Sequence, residues 1–209
     1  MNRFMILATA GLLLNACAGK LDYTPPYGGT STTNTKTVAK SKDEVWKELI
    51  PELSKQFFVI NNVDKSSGLL NVSYSGDPER YVDCGTVSSY VKNARGERSY
   101  VFPGARASQT YEAMTDNLYF INRTMSLDGR MNVIVQETGP SSSSITVNTR
   151  YVVTRTVRVQ GAAGGAGSFT DTINFNTGQL TSFPASGNLP ATQCRPTGMF
   201  EAEVLGLVN

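Results

Sequence analysis

The chain has 209 residues, 40% of them hydrophobic, and a formal net charge of +2. Lysine plus arginine (19) nearly balance aspartate plus glutamate (17), so no strong field favours nucleic acid. Histidine is absent, which excludes a Ser-His-Asp triad, a Cys-His pair and a histidine metal site.

Met1-Asn2-Arg3 is weakly basic and residues 4–14 are apolar. A basic start followed by an apolar run of this length is the pattern of a secretory signal peptide. The run is shorter than the roughly 20 apolar residues of a membrane-spanning helix. Leu14-Asn15-Ala16-Cys17 resembles the lipobox of bacterial lipoproteins. The resemblance implies a signal peptide over 1–16, cleavage after Ala16, and acyl chains on the sulfur and the new amine of Cys17. Two or more acyl chains hold a protein stably on a membrane. Ala18 follows the cysteine where Asp would retain a lipoprotein in the inner membrane. The resemblance therefore implies anchoring in the outer membrane, on its periplasmic face.

About 190 residues follow the signal, enough for one domain with a tail. Residues 17–36 are rich in Gly, Pro, Thr and Ser, with Pro25-Pro26 and Gly28-Gly29, and read as a flexible tether. Residues 37–209 then form a single domain. Residues 37–40 suggest a short strand. Ser41-Lys42-Asp43-Glu44 is a capping box, and Val45, Trp46, Leu49, Ile50 and Leu53 follow at helical spacing. Trp46 on that face is core. Pro51 should kink this helix or split off its last turn. Residues 57–60 and 69–75 read as strands around a turn over 64–68, with Leu70, Val72 and Tyr74 on one face.

The order Val45-Trp46, Phe58-Val59-Ile60, Asp64, Gly68 and Tyr74 resembles the helix-grip domains of BamC-type outer-membrane lipoproteins. The likeness spans about 35 residues, and one such unit is present. It implies an amphipathic helix packed on an antiparallel, strongly curved sheet, an α+β fold, here ending in a short C-terminal helix.

Residues 86–110 read as irregular. They interleave Lys92, Arg95, Arg98 and Arg106 with Tyr90, Tyr100 and Phe102, a mixture that can bind polyanions. Glu97 dilutes it, and a loop whose aromatics pack on the sheet is the reading adopted; no nucleic-acid partner is expected. Asp128-Gly129 between residues 118–127 and 130–137 is a two-residue hairpin signal. Residues 145–159 alternate throughout and predict a half-buried strand of about 15 residues. Residues 161–167 predict a hairpin tip, 169–176 the returning strand, and 199–207 a short helix.

With Cys17 lipidated, Cys84 and Cys194 remain, and an even pair in an oxidising compartment reads as a disulfide. A thiol nucleophile at Cys84 is the rival, but it lacks a histidine base. Asp77, Glu79 and Asp83 cluster within seven residues, and two carboxylates suffice for glycoside hydrolysis. Their Gly-Asp-Pro setting accounts for them as turn residues. No P-loop or dinucleotide fingerprint is present, and no cofactor or metal is expected. The expected function is non-catalytic: an adaptor or structural component of an envelope protein complex, held on the membrane by its N-terminal lipid. The alternative is a lipoprotein that binds a small molecule, lipid or glycan.

Overall fold

In the computed structural model, which describes residues 17–28, 33–186 and 190–208, strands dominate. Their order is β1 (Ala18–Thr24), β2 (Thr35–Val38), α1 (Lys42–Ser54), β3 (Val59–Asp64), β4 (Leu69–Gly76), β5 (Val82–Asp83), β6 (Thr86–Asn93) and β7 (Gly96–Pro103). There follow β8 (Ser108–Met114), β9 (Leu118–Gly139), β10 (Ser142–Gly161), β11 (Ala166–Asn176), β12 (Thr181–Phe183), β13 (Thr192–Pro196) and α2 (Met199–Gly206). Leu14, Asn15 and Ala16, and the signal peptide expected over 1–16, lie outside the described residues.

The organising unit is the antiparallel ribbon of β9 (22 residues) and β10 (20 residues). Each long strand carries two short partners end to end on its outer edge. Strand β9 pairs with β8 near Leu118 and with β4 farther along, and β4 then pairs with β3. Strand β10 pairs with β11 near Gly161 and with β2 near Ser143. The result is a seven-stranded antiparallel sheet. The ribbon buries every second residue over most of its length, including Met125, Leu127, Met131 and Val133 on β9 and Val147, Tyr151, Val153 and Val157 on β10. The sheet therefore has one covered face and one wet face.

Two layers cover the inner face. Near Leu118 a three-stranded sheet, β1-β6-β7, closes a core of Val87, Phe102, Tyr111, Ile121 and Val157. Toward the other end α1, α2 and the small sheet β12-β13-β5 close the larger core. Helix α1 contributes Val45, Trp46, Leu49 and Leu53, all at most 1% exposed. Both arms of its capping box form: Ser41 N donates to Glu44 Oε2 (2.8 Å) and Glu44 N to Ser41 Oγ (3.4 Å). Pro51 lies inside α1 without splitting it. The carbonyl it deprives of a donor is that of Lys47, and both residues lie on the exposed side of the helix.

The expected α+β fold, one amphipathic helix on a single curved sheet, is overturned. Among the described residues the protein is mostly β, 61% strand and 11% helix in two short helices, with several antiparallel sheets. Two segments read as irregular supply the difference. Residues 18–24, expected in the tether, form β1 and pair with β6 from Ala18↔Lys92 to Thr24↔Thr86. Residues 86–110 hold β6, β7 and the start of β8. Pairing with the distant β6 decides the first segment, whereas the second is a local hairpin in which β6 turns at Ala94-Arg95 into β7.

The hairpin expected at Asp128-Gly129 is also absent, because β9 runs straight through it. Gly129 is not among the positive-φ glycines, so no primed turn forms there. It is glycine because a Cβ would stand 2.7 Å from Phe200 Cε2 on α2. The strand over 145–159 extends to Ser142–Gly161, and the loop after it forms the expected hairpin tip before β11.

Candidate functional site

Strand β3 is an edge of the large sheet and pairs only with β4 among the described residues. An unpaired edge offers backbone donors and acceptors to another chain. Among the described residues six large hydrophobic side chains are strongly exposed, and three of them lie on or just before this strand: Phe57 (93%), Val59 (60%) and Val63 (41%). A pairing irregularity between Ile60 and Asn62 interrupts the alternation. Ile60 thereby packs against the core while Val59 stays exposed.

Beside the start of β3 lies a groove of about 710 Å³ lined by Phe57, Tyr74, Asp77, Glu79, Arg80 and Tyr81. A second hollow of about 320 Å³ shares Phe57, Arg80 and Tyr81 and reaches Glu203 on α2. Tyr81, which lines both hollows, belongs to an aromatic cluster: it stacks on Phe200 at 3.7 Å, and Tyr74 meets both at 4.9 and 5.3 Å. Arg80 Nη2 lies 2.5 Å from Glu203 Oε1, and the Tyr81 hydroxyl donates to Glu203 Oε2 (3.2 Å). Burial, with the Glu203 carboxylate beside it, pushes the Tyr81 phenol up to about 12. Tyr81 thus stays a neutral donor throughout the physiological range.

The three carboxylates picked out by sequence do not converge. Asp77 Oδ1 accepts from Glu79 N (2.8 Å) in the expected turn, and Glu79 pairs loosely with Arg106 (3.6 Å). Asp83 belongs elsewhere. Its Oδ1 accepts from Gly85 N (2.9 Å), and Arg195 binds its Oδ2 at 3.1 Å. Asp77 and Glu79 line the groove, whereas Asp83 fixes the turn before the disulfide. Among the described residues no group of three or more Cys, Asp or Glu could hold a metal ion.

Cys84 and Cys194 are joined in a buried disulfide. It ties the end of β5 to β13, which pair through Asp83↔Arg195. Cys17 is free and exposed, one residue before β1. The basic residues of 86–110 are mostly neutralised within the fold. Lys92 pairs with Glu97 (2.6 Å) and Arg98 with Glu112 (2.6 Å). Phe102 is core and Tyr100 packs against it, so no open basic-aromatic platform forms. No described helix is long and apolar enough to cross a membrane.

Sequence reasoning missed the charged groups inside the fold. Glu201 is fully buried in the first turn of α2. It accepts hydrogen bonds from Tyr151 (3.0 and 3.1 Å) and Thr177 (2.7 Å). Arg155 is 2% exposed and reaches Asp171 (2.8 Å), with its guanidinium over Phe183. Arg123, 3% exposed, lies over Phe102 and donates to the Pro103 carbonyl (3.3 Å). It has no carboxylate within ion-pair distance among the described residues, and burial lowers its pKa to about 10. Both arginines occupy the apolar parity of β9 and β10, which is the only signal the sequence held. Comparison of the chain with protein-family models, curated proteins and solved structures finds no match.

Proposed function

We infer that the protein is a lipid-anchored, non-catalytic adaptor on the periplasmic face of the outer membrane, and that it docks an extended segment of an envelope protein along β3. The reading rests on the exposed apolar side chains gathered on an unpaired sheet edge. An incoming strand would pair with the β3 backbone, and its alternate side chains would meet Val59 and Phe57 and enter the neighbouring groove. Backbone pairing supplies affinity and the groove supplies selectivity.

The lipobox resemblance and the exposed Cys17 support the anchor. Since β1 begins at Ala18, almost no slack separates Cys17 from the fold. The anchored end is the Leu118 end of β9, where a Cβ on Gly19 would collide with Met114. Strand β3 lies farther along, with Val59 opposite Ser73 and Ser73 opposite Arg130. The strand path from Leu118 to Arg130 is roughly 40 Å. On this reading the ribbon, rather than a tether, sets the distance between membrane and docking edge.

A photo-crosslinking residue at Phe57, used in cells that make the full chain, tests the docking. The expected result is one defined envelope protein, lost when Val59 and Val63 are both changed to lysine. Crosslinks that are absent, or indifferent to those lysines, would reject it. Cys17→Ser should release the protein from the membrane fraction; a variant that stays there would refute the anchor separately.

A further inference from the structure

The wet face of the large sheet is a grid of hydroxyls and amides. Ser108, Thr124, Thr156 and Thr170 form one row across β8, β9, β10 and β11. Ser126, Thr154 and Thr172 form the next. Neighbours within a row are about 4.8 Å apart and successive rows roughly 7 Å. The hydroxyls are held in place, with Thr154 and Thr172 bonded at 3.1 Å and Thr156 and Thr170 at 2.9 Å. One hydroxyl of each pair donates to the other, which leaves one donor and several acceptor lone pairs per pair. The adjoining row bonds likewise, Asn122 Nδ2 donating to Thr110 Oγ1 (3.1 Å). There the face opens into a groove of about 550 Å³ lined by Phe120, Ile121 and Val159 beside Asn122, Arg158 and Gln160.

We propose that this face binds a neutral glycan strand, with one sugar ring stacked on Phe120 in the groove and the following rings laid along the hydroxyl rows. Charge argues against a polyanion, which needs several cations, since Arg158 is the one charged member of these three rows. Along the hydroxyl rows, outside the groove, apolar area is too small to seat a protein or an acyl chain. None of the six strongly exposed hydrophobics belongs to the rows, and such partners need a contiguous apolar patch. Sugar fits what remains. Its hydroxyls both donate and accept, its C–H face packs on an aromatic ring, and its ring length is close to the interstrand spacing. This face is distinct from the β3 edge, so each can fail without the other.

Titration of the full chain with chitohexaose, a neutral N-acetylglucosamine hexamer, followed by amide NMR, tests the proposal. Saturable binding is expected, with shifts confined to β8, β9, β10 and β11 around Phe120 and the threonine rows. Phe120→Ala should weaken binding about tenfold, the loss of one stacking contact. The double change Thr156→Val and Thr170→Val keeps side-chain shape on an exposed face, and it should weaken binding even if Phe120→Ala lowers stability. Val59→Lys should leave binding unchanged. The proposal is overturned if neither chitohexaose nor cellohexaose binds saturably. It is equally overturned if binding survives the Phe120 and threonine changes, or if heparin binds in preference.

Discussion

Gly129→Ala separates two readings of the Asp128-Gly129 pair. In a hairpin turn that glycine would serve a positive φ; in the continuous strand it makes room for Phe200. The added methyl would lie 2.7 Å from Phe200 Cε2 and 3.0 Å from Cζ, against an ordinary contact of 3.4–4 Å. Phe200 cannot easily withdraw. It is fully buried, stacked on Tyr81 at 3.7 Å and flanked by Tyr74, Tyr151 and Phe58 at 5.3–6.0 Å. Overpacking of this kind costs about 2 kcal/mol, which for a domain this size lowers Tm by roughly 4–8 °C. Thermal unfolding followed by circular dichroism reads it. Phe200→Leu alone should also destabilise, through lost packing. Combined with Gly129→Ala, it should cost less than the sum of the two, with a coupling of about 1 kcal/mol. A neutral Gly129→Ala, or strictly additive changes, would refute the account of β9 as an unbroken strand under α2.

Replacing Cys84 and Cys194 together by serine reopens a loop of 110 residues and should cost about 4–5 kcal/mol in the chain-entropy model, read as a lower urea midpoint. Arg123→Met should raise stability by about 1–3 kcal/mol, because it removes a buried cation that has no carboxylate partner; a lower Tm would show that the guanidinium is better satisfied than its contacts suggest. Asp64, whose carboxylate accepts from the Ser66 hydroxyl (2.6 Å) and from the Ser66 and Ser67 amides (3.0 and 3.2 Å), is held below the usual carboxylate range, at about 2. A depressed pKa means that its contribution to the turn is present above about pH 4 and is lost as pH falls through 2, so carboxyl NMR should place its midpoint near 2 and not near 4.

What could be read from sequence was local. Ser41 and Glu44 announce α1 because both partners of the capping box lie within one turn. The alternation through Ile145, Val147, Tyr151 and Val153 announces β10 because a half-buried strand writes its own period. The misreadings share a different cause, information held far away in the chain. Gly129 looks like a turn residue until Phe200 is placed above it. Leu21 and Tyr23 alternate inward with Lys20 and Asp22, but Pro25-Pro26 and the glycines nearby made the segment look like linker until β6 was there to pair with it. Residues 86–93 are the exception, because Val87, Ser89 and Val91 alternate inward on β6 and the chain turns at Ala94-Arg95 into β7, a local signal that the irregular reading passed over. The docking edge was half legible. Phe57 was expected inside a strand, yet that strand begins at Val59 and leaves the ring in water.

The pairing of β1 and β2 also orders events in time. Ala18 must wait for Lys92, and Thr35 for Thr146, before either finds its hydrogen-bonding neighbour. Contacts so distant along the chain close late and slowly. Until residues 86–92 and 143–146 are in place, the stretch following Cys17 therefore has nothing to pair with. An enzyme acting on Cys17 would meet it in that interval as an unfolded substrate. Once β6 is in place, the same residues become part of a sheet, and the chance to modify the cysteine on a free chain has passed.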